Sequence, residues 1–541
     1  MEKKKKKFKK ASIFVFLFLI AYYISSFYFV NEIYYYNSSK SFMTYVVYAI
    51  IFLTALLLVI FTFYGFKCIK KNKKKSYAWF FILIILLILA ETLISINISK
   101  ISNSLSKITK SDTGYSTSLI TLKSSDINSI IDIKNGKIGI INDQDNIEGY
   151  TIAMEMVEEE KIDEDNLLGY DDYTSMLNDL YEEKIDAMFV SSSYVSLFVN
   201  EEGFENIASD TKVIIEKSKK TSSTKSSTSK TLDEPFTLLL MGVDSSSSSL
   251  SKSNSFNGDT LMLITFNPNT MNATILSIPR DTRVPIACTK YKSKNKINSA
   301  AMYGADCVMD TITDLTGIEI DYWAKVNFQG VISLVDALGG IEVNIPYSFC
   351  ESDSKRRFGN NTIYIEKGLQ TLNGEQTLAF ARNRHPWPAY CGKKYSNYSS
   401  NDFIRGQNQQ QIVKALMNKM KSINSLSQIY SILDIVGDNI DTNIDKDTMI
   451  TGFDTFKNII FNSKNINSDD FVGTQRLYLS GYDNTINGIY YFEYYKQSLK
   501  EIVEAMEINL ELKEPEMDKE FSFSINNPYK DTQIGKGVYK Y

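Results

Sequence analysis

The chain has 541 residues, of which 44% are hydrophobic, and a formal net charge of -4 with one histidine. This length accommodates roughly two or three domains, and the apolar content excludes a chain that is disordered throughout. The small net charge gives no overall attraction to nucleic acid, and a single histidine excludes a metal site built from several histidines.

Three apolar runs follow one another near the amino terminus, at residues 12–30, 43–66 and 77–99. At about 1.5 Å per residue, each run is long enough as a helix to cross a bilayer. We therefore predict three transmembrane helices within residues 12–99, preceded by a basic tail at residues 1–11. A cleaved signal peptide is the alternative for the first run, but that run lacks a small-residue cleavage site.

Lysine is concentrated in two segments, MEKKKKKFKK at the amino terminus and KCIKKNKKKS between the second and third runs. The positive-inside rule places both segments in the cytoplasm, and an odd number of crossings then leaves the chain after about residue 100 outside. The sequence thus predicts a multi-pass protein of the cell membrane with its folded domains on the extracellular face.

Four of the five cysteines lie in this extracellular part, namely Cys288, Cys307, Cys350 and Cys391. An even number of cysteines in an oxidising compartment favours disulfides. Of the three possible pairings we favour Cys288 with Cys307 and Cys350 with Cys391, and four buried thiols are the alternative. Zinc is disfavoured because the sequence contains no C-x-x-C spacing.

Residues 115–215 alternate short apolar strands with helical stretches, such as GKIGIIN, YTIAMEMVEEEKI and IDAMFVSS. This βαβ rhythm predicts a small extracellular accessory domain, here called the first α/β domain. The pattern resembles one lobe of a solute-binding protein, but it contains no evident ligand cage, so we expect a structural or protein-contact role. Residues 216–234 are rich in Ser, Thr and Lys and predict a flexible linker.

We predict that residues 235–512 form a second α/β domain with a carboxyl-terminal extension, which carries the candidate chemistry, and that residues 513–541 form a polar tail. The segments FTLLLMGVD, GDTLMLITFNP and NATILSIPRDTRV predict buried strands with charged residues at their ends. Loops at strand ends are where α/β sheets bind ligands. The charged residues at these positions are Asp244, Asp259, Arg280, Asp281 and Arg283.

Further along the chain, the run TLAFARNR predicts a strand with Arg382 and Arg384 on one face. Two guanidinium groups placed in this way repel each other unless an anion lies between them. The segment NDFIRGQNQQQIVKALMNKM predicts a helix that begins near Asp402. Its first turns project Arg405, Gln409 and Gln410.

The segments LLLMGVD, GDTLMLITFNP, SIPRDTRV, INSAAMYG, LVDALGGIEVNI, LNGEQTLAFARNR and DFIRGQNQQQIV follow one another in this order. Together they resemble the LytR-CpsA-Psr family, which consists of membrane-anchored enzymes of the bacterial cell envelope. The resemblance implies an α/β fold with a central mixed sheet flanked by helices. It also implies transfer of a glycopolymer, such as a teichoic acid or capsular polysaccharide, from a polyprenyl pyrophosphate carrier to a peptidoglycan hydroxyl, which forms a phosphodiester.

The resemblance also assigns roles to residues. It implies that the pyrophosphate is bound by Arg280, Arg283, Arg382, Arg384, Arg405, Gln409 and Gln410. It implies Mg²⁺ held by Asp244 and Asp259. Catalysis is expected from Asp259, Arg280 and Asp281, and our hypothesis for the group that accepts the hydroxyl proton is Asp259 or Asp281.

The resemblance also implies an apolar cavity beneath the arginines that holds the prenyl tail. The sequence does not decide which of the following apolar residues belong to the core and which line the cavity: Ile264, Phe266, Ile275, Ile278, Trp323, Val326, Phe328, Leu334 and Leu338.

Other functions remain open at this point. Water in place of the glycan acceptor would give a hydrolase of the same lipid-linked substrate, and a domain that only holds lipid would be a non-catalytic envelope receptor. The expected partners are the lipid-linked glycan, peptidoglycan and membrane lipid, without nucleic acid.

Overall fold

The computed structural model describes residues 2–36, 41–71, 74–109, 112–133, 135–198, 203–222, 230–243, 255–423, 472–486, 488–514 and 533–535, with scattered positions between 432 and 452, of which 439–445 is the longest run. The chain divides into two compact units, Met1–Lys107 and Ile108–Tyr541.

The first unit consists of helices, α1 (Glu2–Tyr36), α2 (Ser41–Lys71) and α3, which extends from Lys74 to Thr109. The stretches long and apolar enough to cross a membrane are Ser12–Tyr34, Tyr45–Lys70 and Lys75–Lys100. They confirm the predicted helices. The basic tail at residues 2–11 continues α1 as helix.

The first α/β domain has the strands β1 (Asp112–Leu122), β2 (Ile138–Ile141), β3 (Leu167–Tyr170), β4 (Ala187–Ser191) and β5 (Thr211–Ser222). Its helices are α4 (Ile130–Ile133), α5 (Ile152–Glu160), α6 (Tyr173–Tyr181), α7 (Tyr194–Phe198) and α8 (Ile207–Asp210). The strands form one sheet in the order β3-β2-β4-β1-β5. β2 is parallel to β3 and β4, whereas β1 is antiparallel to β4 and β5. A small α/β domain is thus confirmed, and its likeness to a solute-binding lobe stays a prediction.

The first α/β domain ends later in the chain than the sequence predicts. Residues 216–222, predicted as the start of the linker, continue β5 and pair with β1. Lys217 and Lys219 form ion pairs with Glu155. Lysine is common on strands at sheet edges. The lysine-rich composition of residues 216–222, which is also typical of flexible linkers, therefore belongs here to an edge strand. Residues 223–229 of the predicted linker lie outside the described residues.

The strands of the second α/β domain are, in chain order, β6 (Phe236–Val243), β7 (Thr260–Asn267), β8 (Asn272–Ile278), β9 (Arg283–Pro285), β10 (Lys294–Lys296), β11 (Tyr322–Asn327), β12 (Ile341–Ile345), β13 (Phe349–Glu351), β14 (Ile363–Ile365), β15 (Gly368–Leu372), β16 (Ile440–Thr442), β17 (Gly473–Tyr478), β18 (Gly481–Ile486), β19 (Ile489–Tyr494) and β20 (Gln533–Ile534). Its described helices of four residues or more are α9 (Ala305–Thr316), α10 (Phe328–Ala337), α11 (Gly374–Arg382), α12 (Pro388–Cys391), α13 (Asp402–Lys419) and α14 (Lys496–Asn509).

The central sheet has seven strands in the order β16-β11-β6-β7-β8-β17-β20. It is mixed, because β6 is parallel to β11 and β8 to β17, whereas β6-β7 and β7-β8 are antiparallel. Helices cover both faces. One buried cluster joins the sheet to α9 and α14 and includes Leu239, Leu263, Val308, Ile312 and Met506. On the other face, Met262, Ile264 and Ile275 of the sheet pack against α13, which contributes Val413 and Met417. The predicted mixed sheet flanked by helices is confirmed.

The carboxyl-terminal segment contributes to this sheet. Gln533–Ile534, predicted as part of the polar tail, forms β20 and pairs parallel to β17. The Gly535 carbonyl accepts hydrogen bonds from Ser480 Oγ and Ser498 Oγ, each at 2.7 Å. The composition of the tail did not indicate this strand, because its stability depends on a pairing partner far away in the sequence.

The favoured cysteine pairing is present in the structure, with Cys288 bonded to Cys307 and Cys350 to Cys391. Cys68 is not in a disulfide. The first bond joins the loop after β9 to α9. The second anchors the segment around α12 to β13. Both lie in the second α/β domain.

Removing either bond is expected to lower the thermal unfolding temperature of this domain. Loss of a native disulfide costs about 2–5 kcal/mol, which corresponds to a shift of roughly 5–15 °C for a domain of this size. The Cys350→Ser/Cys391→Ser pair closes the longer loop, 41 against 19 residues, and should cost about 0.7 kcal/mol more than the other pair by loop entropy. Calorimetry of both double variants measures this, with Cys68→Ser as the control. Equal unfolding temperatures in all variants would contradict it.

Candidate functional site

Asp259 and Arg280 lie side by side at one edge of the central sheet. Asp259 precedes β7 and Arg280 follows β8, and these antiparallel neighbours place Leu261 opposite Ile278. Arg280 Nη1 donates to Asp259 Oδ1 at 2.8 Å, and Asn257 Nδ2 donates to Asp259 Oδ2 at 3.0 Å. Two charges that the sequence places at separate strand ends therefore form a direct, largely buried ion pair.

Asp402, in the first turn of α13, lies among three arginines from separate parts of the chain. Its carboxylate oxygens are 3.4 Å from Arg280 Nε, 3.5 Å from Arg405 Nη2 and 3.7 Å from Arg384 Nη1. Burial alone would raise the pKa of Asp402, but Arg405, Arg280 and Arg384 together lower it below its ordinary value. The sequence placed Asp402 only near the start of a helix, and its position as the common counter-ion depends on contacts between distant segments.

The arginines around Asp402 are not equally neutralised. Burial lowers the pKa of Arg384, and the positive charges of Arg405 and Arg280 lower it further. For Arg280, burial also lowers the pKa, but Asp259, Asp281 and Asp402 outweigh burial and raise it. Protein carboxylates thus stabilise the charge of Arg280, whereas a bound anion would relieve the repulsion felt by Arg384.

A cavity of about 410 Å³ adjoins these charges. The charged and polar side chains in its lining are Asp259, Thr260, Asn327, Arg356, Arg382, Arg384, Arg405 and Gln409. Most of the remaining wall is apolar and comes from β6, β7, β11, α10 and α13, with Leu238, Leu240, Met262, Val331 and Val413 among its side chains. The volume lies within the range of ligand sites, roughly 300–1,000 Å³. The structure therefore combines anion-binding groups with an apolar chamber.

The structure shows which of the predicted apolar residues line the cavity and which are buried in the core. Val326, Phe328 and Leu334 belong to the cavity wall. By contrast, the side chains that are buried in the core are Ile264, Phe266, Ile275, Ile278 and Trp323. Trp323 and Val326 of β11 differ in this way because alternate residues of a strand face opposite sides of the sheet. Phe328 and Leu334 reach the cavity wall from α10.

The run that contains Arg382 is a helix, and the predicted strand is wrong. α11 begins with a capping box in which Asn373 and Gln376 bond each other's backbone. Such a box stabilises a helix start and outweighs the apolar run that suggested a strand. Arg382 ends α11 and donates to the carbonyls of Ser352 and Asp353 at 2.8 and 2.9 Å. Arg382 and Arg384 both line the cavity, but Arg382 is held by neutral partners.

Arg356 also lines the cavity and was not predicted from the sequence. It lies in the loop between β13 and β14 with a left-handed φ of 59°. Its backbone N–H donates to the Asp353 carbonyl at 2.8 Å. The sequence of this loop, ESDSKRRFGN, resembles any polar surface turn, so only the fold brings Arg356 to the site.

The two predicted glutamines differ in position. Gln409 lines the cavity, and its Nε2 donates to Thr260 Oγ1 at 3.0 Å and to the Ala381 carbonyl at 3.1 Å. Gln410 is 1% exposed and donates to the carbonyls of Ile275 and Leu477, both at 3.1 Å. Gln409 therefore borders the cavity with its amide nitrogen engaged by protein acceptors, whereas Gln410 connects α13 to the central sheet.

Three other predicted residues, Arg280, Arg283 and Asp281, lie outside the lining of the cavity, and Arg280 lines a smaller adjoining pocket. Arg283 Nη1 donates to Glu493 at 3.2 Å, and its guanidinium lies 5.6 Å from the ring centroid of Tyr491. Asp281 Oδ1 lies 2.9 Å from Lys296 Nζ. The loop after β8 thus directs Arg280 toward the site and Arg283 toward the hairpin of β18 and β19.

Arg283→Ala is accordingly expected to lower kcat/KM by less than about fivefold, because a partly exposed ion pair contributes under about 1 kcal/mol. Steady-state kinetics with a lipid-linked glycan measures the effect. Arg283→Lys, which keeps the charge, is the matched comparison. A loss above about fiftyfold in the alanine variant alone would place Arg283 in the binding site.

Of the two predicted metal ligands, the structure describes Asp259, and Asp244 lies outside the described residues. Within the described part of the chain, there is no group of three or more His, Cys, Asp or Glu side chains able to hold a metal ion. Mg²⁺ is often held by one or two protein carboxylates, together with water and phosphate oxygens. Asp259 in the cavity lining fits that donor set, and the pair with Asp244 stays a prediction.

The LytR_cpsA_psr family model matches residues 200–508. "Polyisoprenyl-teichoic acid--peptidoglycan teichoic acid transferase TagV" of Bacillus subtilis (strain 168) is 33% identical over 285 residues, 51% of this chain and 65% of the relative. The TagU enzyme of the same strain is 32% identical over 279 residues, 51% of this chain and 79% of the relative. The crystal structure of B. subtilis TagV has 30% sequence identity and a TM-score of 0.42, and the match covers 52% of this chain and 99% of that chain.

Proposed function

Because the chain belongs to the LytR-CpsA-Psr family, we propose that it is a membrane-anchored transferase that moves a glycopolymer from a polyprenyl pyrophosphate carrier to a peptidoglycan hydroxyl. The names of TagV and TagU describe such a transfer of teichoic acid. The observation that carries the proposal is the cavity, whose lining joins several arginines to an apolar wall. A lipid with a doubly phosphorylated head matches both chemistries.

In the proposed complex the prenyl tail occupies the apolar part of the cavity and the pyrophosphate contacts Arg384 and Arg405. The acceptor hydroxyl attacks the phosphorus that bears the glycan. A new P–O bond forms the phosphodiester, and the bridging P–O bond breaks to release polyprenyl phosphate. Fixed guanidinium groups offset the negative charge that develops on the bridging oxygen.

Asp259 is the better candidate for the group that accepts the hydroxyl proton. It lines the cavity, whereas Asp281 lies outside the lining. Asp259→Asn is the direct test, because it preserves the shape of the side chain and removes its charge. Normal turnover in Asp259→Asn, with lower turnover in Asp281→Asn, would reverse this choice.

We further propose Mg²⁺ as the cofactor, with Asp259 and Asp244 as its protein ligands. When bound, the ion would neutralise charge on the phosphate oxygens. Arg280 orients the Asp259 carboxylate through their 2.8 Å contact. The orientation of the membrane helices is also part of the proposal, since the lysine-rich segments favour a cytoplasmic location and place the second α/β domain outside.

The test uses the full-length protein in proteoliposomes with a polyprenyl-pyrophosphate-linked glycan, peptidoglycan fragments, and either Mg²⁺ or a chelator. We expect a covalent glycan–peptidoglycan conjugate and one polyprenyl phosphate for each transfer, with turnover lost on chelation. Glycan phosphate released without conjugate would indicate a hydrolase. Lipid retained without turnover would indicate a receptor. Either result overturns the transferase proposal.

A further inference from the structure

The segment that leads into the site, Ser255–Asp259, is held from both α/β domains. Ser255 is 1% exposed, and Phe256 and Asn257 are similarly buried. The Phe256 N–H donates to the Ala301 carbonyl at 3.1 Å. The segment ends at Asp259, whose Oδ2 accepts from Asn257 Nδ2. The position of the Asp259 carboxylate therefore depends on what fixes the beginning of this segment.

Glu148 of the first α/β domain fixes that beginning. It lies in the π-helical turn Ile147–Thr151 and is 3% exposed. One carboxylate oxygen accepts the Ser116 N–H at 2.9 Å. The other accepts from Ser255 Oγ, which also lies 2.8 Å from the Met302 carbonyl. A buried carboxylate is costly unless donors satisfy it, so Glu148 and Ser255 hold each other in place.

A second connection reaches the other half of the site. The 3₁₀ segment Ile297–Tyr303 ends inside the first α/β domain, where Met302 is buried in a cluster with Met176 and Leu177. At its beginning, the Asn298 N–H donates to the Arg280 carbonyl at 3.1 Å. The first α/β domain thus contacts the segments that carry both Asp259 and Arg280.

We propose that Glu148 is a positioning residue for the transfer reaction: through Ser255 it fixes the segment that places Asp259 against Arg280. The first α/β domain then helps to hold the site residues of the second α/β domain in position. The kinetic part of this inference rests on the proposed function, whereas its structural part does not. Misplacement of a reacting group by about 1 Å can cost roughly a hundredfold in rate.

The experiment compares Glu148→Ala, Glu148→Gln, Ser255→Ala and the Glu148→Ala/Ser255→Ala double variant of the full-length protein. Glu159→Ala is the matched control, because that glutamate belongs to the same domain but its side chain is 63% exposed. Readouts are kcat, KM for the lipid-linked glycan, and amide hydrogen exchange across residues 255–259. Exchange reports the position of the segment even if no transfer is detected.

We expect Glu148→Ala and Ser255→Ala each to lower kcat by about tenfold or more, to change KM by less than about twofold, and to speed exchange at residues 255–259. The double variant should be no worse than Glu148→Ala, because both act through one contact. Glu148→Gln should recover most of kcat, since its amide can donate to Ser255 Oγ while Ser255 donates to the Met302 carbonyl.

Normal kcat and exchange in Ser255→Ala would overturn the proposal, even if Glu148→Ala failed to fold. Faster exchange throughout the first α/β domain in Glu148→Ala, with normal kcat in the folded fraction, would also overturn it by showing a merely structural role. If the wild-type protein lacks transferase activity, local exchange at residues 255–259 decides the positioning role alone, and the two proposals fail separately.

Discussion

Arg384→Ala is expected to lower kcat/KM for transfer by about 10²–10³-fold, the loss typical of removing one fixed group that stabilises developing negative charge. Arg384 lines the cavity, and burial together with the charges of Arg405 and Arg280 lowers its pKa. A side chain in that position is stabilised by an anion more than by the protein. Initial rates with the lipid-linked glycan measure the loss.

The same variant should not be less stable when no ligand is bound. Because the folded protein lowers the pKa of Arg384, the folded state disfavours its charged form at neutral pH, and alanine removes that cost. The unfolding temperature of the ligand-free variant should equal or exceed that of the wild type, while its increase on adding polyprenyl pyrophosphate should be lost. Arg357→Ala is the control, since that side chain is 54% exposed and pairs with Asp353. A destabilised Arg384→Ala with normal ligand response would contradict the assignment.

The sequence predicts those site residues that stand at the ends of recognisable apolar strands. Buried strands with charges at their ends are visible in β6, β7 and β8, and the pairing of these strands brings Asp259 to Arg280. Asp402 and Arg356 could not be predicted as site residues in this way. Each reaches the cavity or its arginines only because a helix or loop packs there from a distant part of the chain.

Errors at the ends of elements have a related cause. Apolar residues before Arg382 suggested a strand, but the capping box at Asn373 starts a helix that packs beside α10. Polar composition suggested a linker at residues 216–222 and a tail at Gln533–Ile534. Both are strands, because β1 and β17 supply the pairing partners. Composition describes solvent exposure at a sheet edge, whereas distant pairing decides whether a strand forms.

Leu240→Trp is expected to weaken binding of a polyprenyl chain by about tenfold or more without destabilising the protein. Leu240 lies on β6, lines the cavity and is only partly buried, so a larger side chain can extend into existing space. Overpacking usually destabilises a filled core, but a side chain that fills a cavity commonly adds about 0.5–2 kcal/mol. Lipid retained by the purified protein, identified by mass, measures the effect.

Leu240→Ala is the matched comparison, because it enlarges the same space. It should retain lipid while losing about 2–3 kcal/mol of stability, at the lower end for a partly buried leucine. Opposite effects of the two variants on lipid retention and on stability would separate occupancy of the cavity from general damage to the fold. Neither substitution alters a charged side chain. If both variants retained lipid equally, the prenyl tail would lie outside the cavity. The arginines would then bind a head group whose tail remains in the membrane.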